Sequence, residues 1–141
     1  MNEANGKTVK DMKSYRAVRS IKGLKLKRNI KLNRTHVLLD IYKCEDKALA
    51  KATLLEQKVK KVLAQFELEP QIQTFYQFQP FGVTAIVCVP GLHFTVHTWP
   101  EHESAAIDLY CFSSRKLATQ ICNQLLTSFK SGEYEMKVRR R

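Results

Sequence analysis

Apolar and polar positions recur with two different periods along this chain, and the switches between them mark out its elements. His36–Tyr42 (HVLLDIY) is nearly all apolar, which predicts a buried strand. Ala48, Ala52, Leu55, Val59, Val62, Leu63 and Phe66 then fall on one helical face, with Lys51, Lys58, Lys60 and Lys61 mostly elsewhere. Asp46 is placed to cap that helix, and Pro70 marks its exit. Ile72–Phe78 alternates loosely and is rich in aromatics, as a strand would be. Two turn signals, Pro80-Phe81-Gly82 and Pro90-Gly91, bracket the β-branched run Val83–Val89, which predicts a central strand. In His93–Trp99 the residues His93, Thr95, His97 and Trp99 share one face, and Phe94, Val96 and Thr98 the other. Ala105–Phe112 is a further strand. Ser113 or Ser114 caps a second helix with Leu117, Ile121, Cys122, Leu125 and Phe129 inward, and Gly132 is its stop signal. Glu133–Val138 closes the series as an edge strand. The order β-α-β-β-β-β-α-β predicts an α+β fold, a two-layer sandwich with two helices on one face of a mostly antiparallel sheet.

Charge divides the chain differently. The 141 residues carry a net +11, but residues 1–34 hold eleven Lys/Arg against two acids. Residues 137–141 (Lys137, Arg139, Arg140, Arg141) add four more cations, so residues 35–136 are slightly acidic. The expected organisation is a basic, disordered extension over 1–34, a domain over 35–136 and a basic tail over 137–141. Arms of this kind suit polyanions, with Lys22, Lys25, Lys27, Arg28 and Lys31 as the candidate contacts, although a solvated tail has the same composition. The longest largely apolar run, Val83–Pro90, is far shorter than the ~20 residues that span a bilayer, so no membrane span is expected. Cys44, Cys88, Cys111 and Cys122 form no CxxC pair, and no apolar leader is legible. Reduced thiols in the cytoplasm are the expectation.

The familiar chemical motifs are missing. There is no GxSxG, P-loop or GxGxxG. His93 and His97 sit four strand residues apart, about 13 Å, too far to share one ion, so no metal is expected.

The stretch 82–112 (GVTAIVCVPGLHFTVHTWPEHESAAIDLYCF) carries a more specific signal. HTWPE (His97–Glu101) followed by AAIDLY (Ala105–Tyr110), with FQPFGVT (Phe78–Thr84) and HVLLDIYKC (His36–Cys44) upstream, resembles the prokaryotic-type S-adenosylmethionine decarboxylases over about residues 36–130. That resemblance implies a homodimer of small α/β units and a pyruvoyl cofactor made by self-cleavage of a Glu-Ser bond. The serine hydroxyl attacks the preceding carbonyl, and β-elimination and hydrolysis leave a ketone. The ketone then takes the substrate amine as a Schiff base and accepts the electrons of decarboxylation.

The chain departs from the family at the atoms that do this. The Glu-Ser pair falls on Gly91 and Leu92, and leucine has no hydroxyl. The family's catalytic cysteine falls on Phe112; Cys111, one residue away, points to the opposite strand face and reads as a structural thiol. Other positions match: His97 the self-processing histidine, Thr84 a processing serine, Phe78 an aromatic that stacks on the adenine or sulfonium, Glu101 a ribose-binding acid. Trp99 is a further candidate for ligand contact. The expectation is a divergent, non-catalytic homologue of the spermidine (polyamine) pathway, with no cofactor. It would bind S-adenosylmethionine or regulate, as a homodimer or as a heterodimer with an active homologue. An active pyruvoyl-dependent decarboxylase and a polyanion-binding protein are the competing readings.

Overall fold

A computed structural model describes residues 34–141, which lie within one compact unit. The basic candidates Lys22, Lys25, Lys27, Arg28 and Lys31 lie outside the described residues. Six strands form one sheet: β1 (Thr35–Tyr42), β2 (Ile72–Gln77), β3 (Val83–Val89), β4 (Leu92–Trp99), β5 (Ser104–Cys111) and β6 (Glu133–Arg140). Their spatial order is β2-β3-β4-β5-β1-β6, and every neighbouring pair is antiparallel. Two helices, α1 (Ala52–Ala64) and α2 (Arg115–Phe129), cover one face. The α+β sandwich read from the sequence is the fold observed.

Strict alternation sorts side chains between the two faces. Toward the helices point Val37, Leu39, Ile41, Ala85, Val87, Phe94, Val96, Ile107 and Leu109, all buried. Leu55, Val59 and Leu63 of α1 and Ile121, Leu125 and Phe129 of α2 meet them. The other face carries polar and aromatic residues in cross-strand rows, for example Tyr76, Thr84, His97, Ala106, Asp40 and Glu135. That face is where candidate chemistry sits.

Three local expectations change. Asp46 caps a short 3-10 turn, Lys47–Leu49, by accepting the Ala48 N–H at 2.7 Å, rather than capping α1. The chain then extends through Lys51, and α1 starts afresh at Ala52, whose N–H is taken by the Gln77 side-chain oxygen at 2.8 Å. A cap supplied from 25 residues away leaves no local signature. Gly132 does not stop α2; Lys130 does, in a left-handed conformation (φ 51°) with its N–H on the Thr127 carbonyl. Finally, residues 137–140 are not a tail. Met136 and Val138 pack against the core while Lys137 and Arg139 face outward, so β6 runs on to Arg140. An edge position tolerates such charges, which also blunt strand-to-strand aggregation.

Candidate functional site

At the β2–β3 end of the open face lies a cleft of about 390 Å³. The backbone makes it in two steps. The connection after β2 turns at Gly82 (φ 103°), where Phe78 N–H donates to the Gly82 carbonyl at 2.9 Å. This lifts Phe78 and Phe81 over the sheet. After β4, Pro100–His102 forms a 3-10 turn that swings Glu101 to the opposite rim. Thr84 of β3 and His97 of β4, register partners, make the floor.

The floor is polar and joined: Thr84 Oγ1 and His97 Nδ1 are 2.9 Å apart. Trp99 follows on the same face, its ring 6.3 Å from the His97 ring and 43% exposed. Phe78 is 48% exposed and meets Tyr76 edge-on at 4.9 Å. Exposed aromatic faces beside a carboxylate suit a flat or cationic ligand.

Two side chains hold this cleft to the helix layer. Thr98 Oγ1 donates to the Leu49 carbonyl at 2.6 Å and accepts the Val83 N–H at 2.8 Å. Gln77 donates to the Ala50 carbonyl at 2.8 Å and the Gly82 carbonyl at 3.0 Å. Sequence reading missed both residues, along with Phe81 and Gly82. Thr98 stands inside HTWPE, and Phe81 and Gly82 inside FQPFGVT and a turn signal, but neither motif gave them a role.

Gly91, Leu92 and Phe112 form a second cluster at the other end of β4. Leu92 opens β4 with 1% exposure and faces the helices, flanked in register by Val89 and Cys111. Gly91 is left-handed (φ 88°), and a Cβ there would stand 3.0 Å from Ser113 Oγ. Phe112 N–H donates to the Gly91 carbonyl at 3.0 Å. Gly91 and Phe112, distant in sequence, therefore touch one another. Cys111 is buried and on the helix side, with Sγ 3.3 Å from Ser113 Oγ, whereas Phe112 is exposed. His97 is five residues along β4 from Leu92, about 17 Å, on the opposite face. Within one chain the two clusters do not meet.

The other titratable groups are placed elsewhere. His93 stacks at 5.5 Å on Tyr110, and Asp46 pairs with Lys58 at 2.9 Å in a groove between α1 and α2. Burial pushes the Cys122 thiol up to about 12, and burial also raises Cys44, whose Sγ donates to the Phe129 carbonyl. Among the described residues no helix is long and apolar enough to cross a membrane.

Comparison with known proteins fits this geometry. The sequence profile described as S-adenosylmethionine decarboxylase matches residues 35–141. The S-adenosylmethionine decarboxylase proenzyme of Thermotoga petrophila is 36% identical over 75 residues, 53% of this chain and 58% of that one. The chain thus spans less than two thirds of that relative. The proenzyme of Caldicellulosiruptor saccharolyticus is 29% identical over 97 residues, 69% of this chain and 78% of that one. The crystal structure of adenosylmethionine decarboxylase from Aquifex aeolicus superposes with a TM-score of 0.72 at 25% identity, covering 79% of this chain and 92% of its own. By sequence and by fold, the chain belongs to the S-adenosylmethionine decarboxylase family.

Proposed function

We propose that this chain is a non-catalytic S-adenosylmethionine decarboxylase homologue of the polyamine pathway, which keeps the adenosyl-binding cleft and acts through association with another subunit. One observation carries the reading. The position from which the family builds its pyruvoyl group is Leu92, a packed core side chain with no β-oxygen. Self-cleavage needs a hydroxyl to attack the preceding carbonyl, and none stands there. The adjoining Gly91 and Phe112 supply neither the acid nor the thiol of the family pattern. The residues present do not fit the group, so no reaction step runs through it.

The cleft supports retained binding. Phe78 and Trp99 offer faces to the adenine and to the positive sulfonium, an attraction of about 0.5–2 kcal/mol per ring. Glu101, on the rim, would accept ribose hydroxyls by the family resemblance, while Thr84 and His97 form a polar floor. Association, as a homodimer or with an active homologue, is carried over from the family resemblance. The reduced cysteines suit the cytoplasm.

Denaturing mass spectrometry tests the chemistry: one uncut species of 16.3 kDa is expected, and two fragments, one with a blocked N-terminus, would establish an active pyruvoyl enzyme instead. Calorimetric titration with S-adenosylmethionine tests the cleft. Binding should weaken about tenfold in Trp99→Ala, and no heat from the unaltered chain would remove the ligand-binding part. Mixing with an active homologue tests regulation; no complex and no change in rate would exclude it. A polyanion-binding role for the basic ends is a second reading, favoured by the +9 excess over residues 1–34 and by the cations of β6.

A further inference from the structure

We propose that the outer edge of β6 pairs with the β6 of a second copy of this chain, antiparallel and about a two-fold axis at Met136, joining two sheets into one. This adds an interface to the proposed association and does not depend on the adenosyl cleft. Among the described residues β6 is paired only with β1 and ends the sheet. Arg141 N–H donates to the Arg34 carbonyl at 2.9 Å, so the odd-numbered residues of β6 direct their backbone groups toward β1. Tyr134, Met136, Val138 and Arg140 therefore direct theirs outward. A strand edge of this kind is a template for another strand.

The side chains select the partner. Glu133, Glu135, Lys137 and Arg139 lie on one face of β6, and Tyr134, Met136 and Val138 on the other. When two copies of β6 run antiparallel with Met136 opposite Met136, Glu133 meets Arg139 and Glu135 meets Lys137, each twice. On the other face Tyr134 meets Val138. The same register sets the outward-directed residues opposite one another, as hydrogen-bonded pairs of an antiparallel ladder must be, and gives about six main-chain bonds. Sliding one strand by two residues brings Glu135 against Glu135 in one direction and Lys137 against Lys137 in the other. Sliding it by one residue sets outward-directed groups against groups already turned to β1.

Charge and space both favour a second copy. Within one copy Glu135 and Lys137 are 2.8 Å apart and Glu133 lies 2.8 Å from Lys43, while Arg139 forms no ion pair among the described residues. The second copy sets its Glu133 against that arginine. α2 packs on β1 and β5, so the helix layer stops short of β6, and Tyr134 is 56% exposed. Met136 and Val138 are half-buried against the core, and each gains cover from the facing strand. A basic segment fits worse. This chain's own residues 22–33 hold five cations and no acid, so they meet Lys137 and Arg139 with like charge. Charges that blunt indiscriminate edge pairing thus admit this one pairing.

The test uses the full chain, sedimentation velocity and backbone amide exchange. Glu133→Arg/Glu135→Lys makes the charged face of β6 wholly cationic, and Lys137→Glu/Arg139→Glu makes it wholly acidic. Both double variants change exposed residues only. Each alone should weaken the pairing by at least about 100-fold, because four opposite-charge contacts become like-charge ones, and should sediment with half the mass of the unaltered chain. An equimolar mixture of the two should regain the full mass. In the unaltered chain the Tyr134, Met136 and Val138 amides should exchange roughly tenfold more slowly than in either double variant, with the amides of β1 unchanged. A mixture that fails to regain the mass, or outward amides equally fast in all three chains, would overturn the pairing. A dimer that neither double variant alters would use another surface, which overturns the pairing and leaves the proposed association standing.

Discussion

Replacing Leu92 by alanine probes whether residue 92 is now a packing residue. The side chain is 1% exposed and sits where β4 begins, between Val89 and Cys111, on the face covered by the helices. The turn before it cannot easily relax into the space, because Gly91 is held against Ser113 and bonded to Phe112. A buried Leu→Ala change with little collapse costs about 3–5 kcal/mol, the lost transfer free energy plus the cavity. Against a total stability of about 5–15 kcal/mol, that is a large share, and it should lower the melting temperature by at least about 10 °C. Urea unfolding of the full chain, with the slope on denaturant unchanged, measures it directly. A loss under about 1 kcal/mol would refute the reasoning, because residue 92 would then be loosely held and free to take up a processing geometry. Leu92→Ser adds the cost of a buried hydroxyl and should remain one uncut chain in denaturing mass spectrometry, since the new oxygen projects away from the Thr84–His97 face.

Gly91→Ala should destabilise by about 1–2 kcal/mol from the left-handed backbone alone, with more from the 3.0 Å approach to Ser113 Oγ, and thermal unfolding reads it; no change would mean the turn is not held as described. Thr98→Val leaves the buried Val83 N–H and Leu49 carbonyl without a side-chain partner, and should cost about 2–3 kcal/mol by urea unfolding while also weakening any ligand bound in the cleft. Cys122 holds its proton to about 12 when folded but only to its ordinary 9.0 when unfolded, so the folded state binds more protons between those values. The contribution of Cys122 should be constant below pH 9 and be lost as pH rises toward 12, so Cys122→Ala should decline less steeply than the unaltered chain, with Cys44 supplying part of what remains; an identical decline in the variant would assign it to other groups.

Much of the fold was legible because burial on one face writes itself into the sequence. The apolar runs read as β1 and β3, the alternating run of β4 and the stretch read as β5 match the observed strands within a residue or so, and the apolar face of α2 is the one that packs. Phe78, Thr84, His97, Trp99 and Glu101, named from motif resemblance, do line one cleft. That residue 92 is a leucine, without a hydroxyl, was likewise readable from identity alone, because a side chain's functional groups do not depend on where it lies.

What needed the tertiary structure was every relation between distant residues. The restart of α1 at Ala52 depends on Gln77, and the cleft's attachment to the helix layer depends on Thr98 reaching Leu49. The contact of Gly91 with Phe112 follows from the pairing of β4 with β5. A basic ending such as Lys137–Arg141 has the composition of a solvated tail, yet β1 offers a free edge and Met136 and Val138 a place to bury, so it folds as β6. Local pattern records whether a residue prefers water or core; which partners it meets is decided by strand pairing and closure of the core, where many weak preferences are satisfied together.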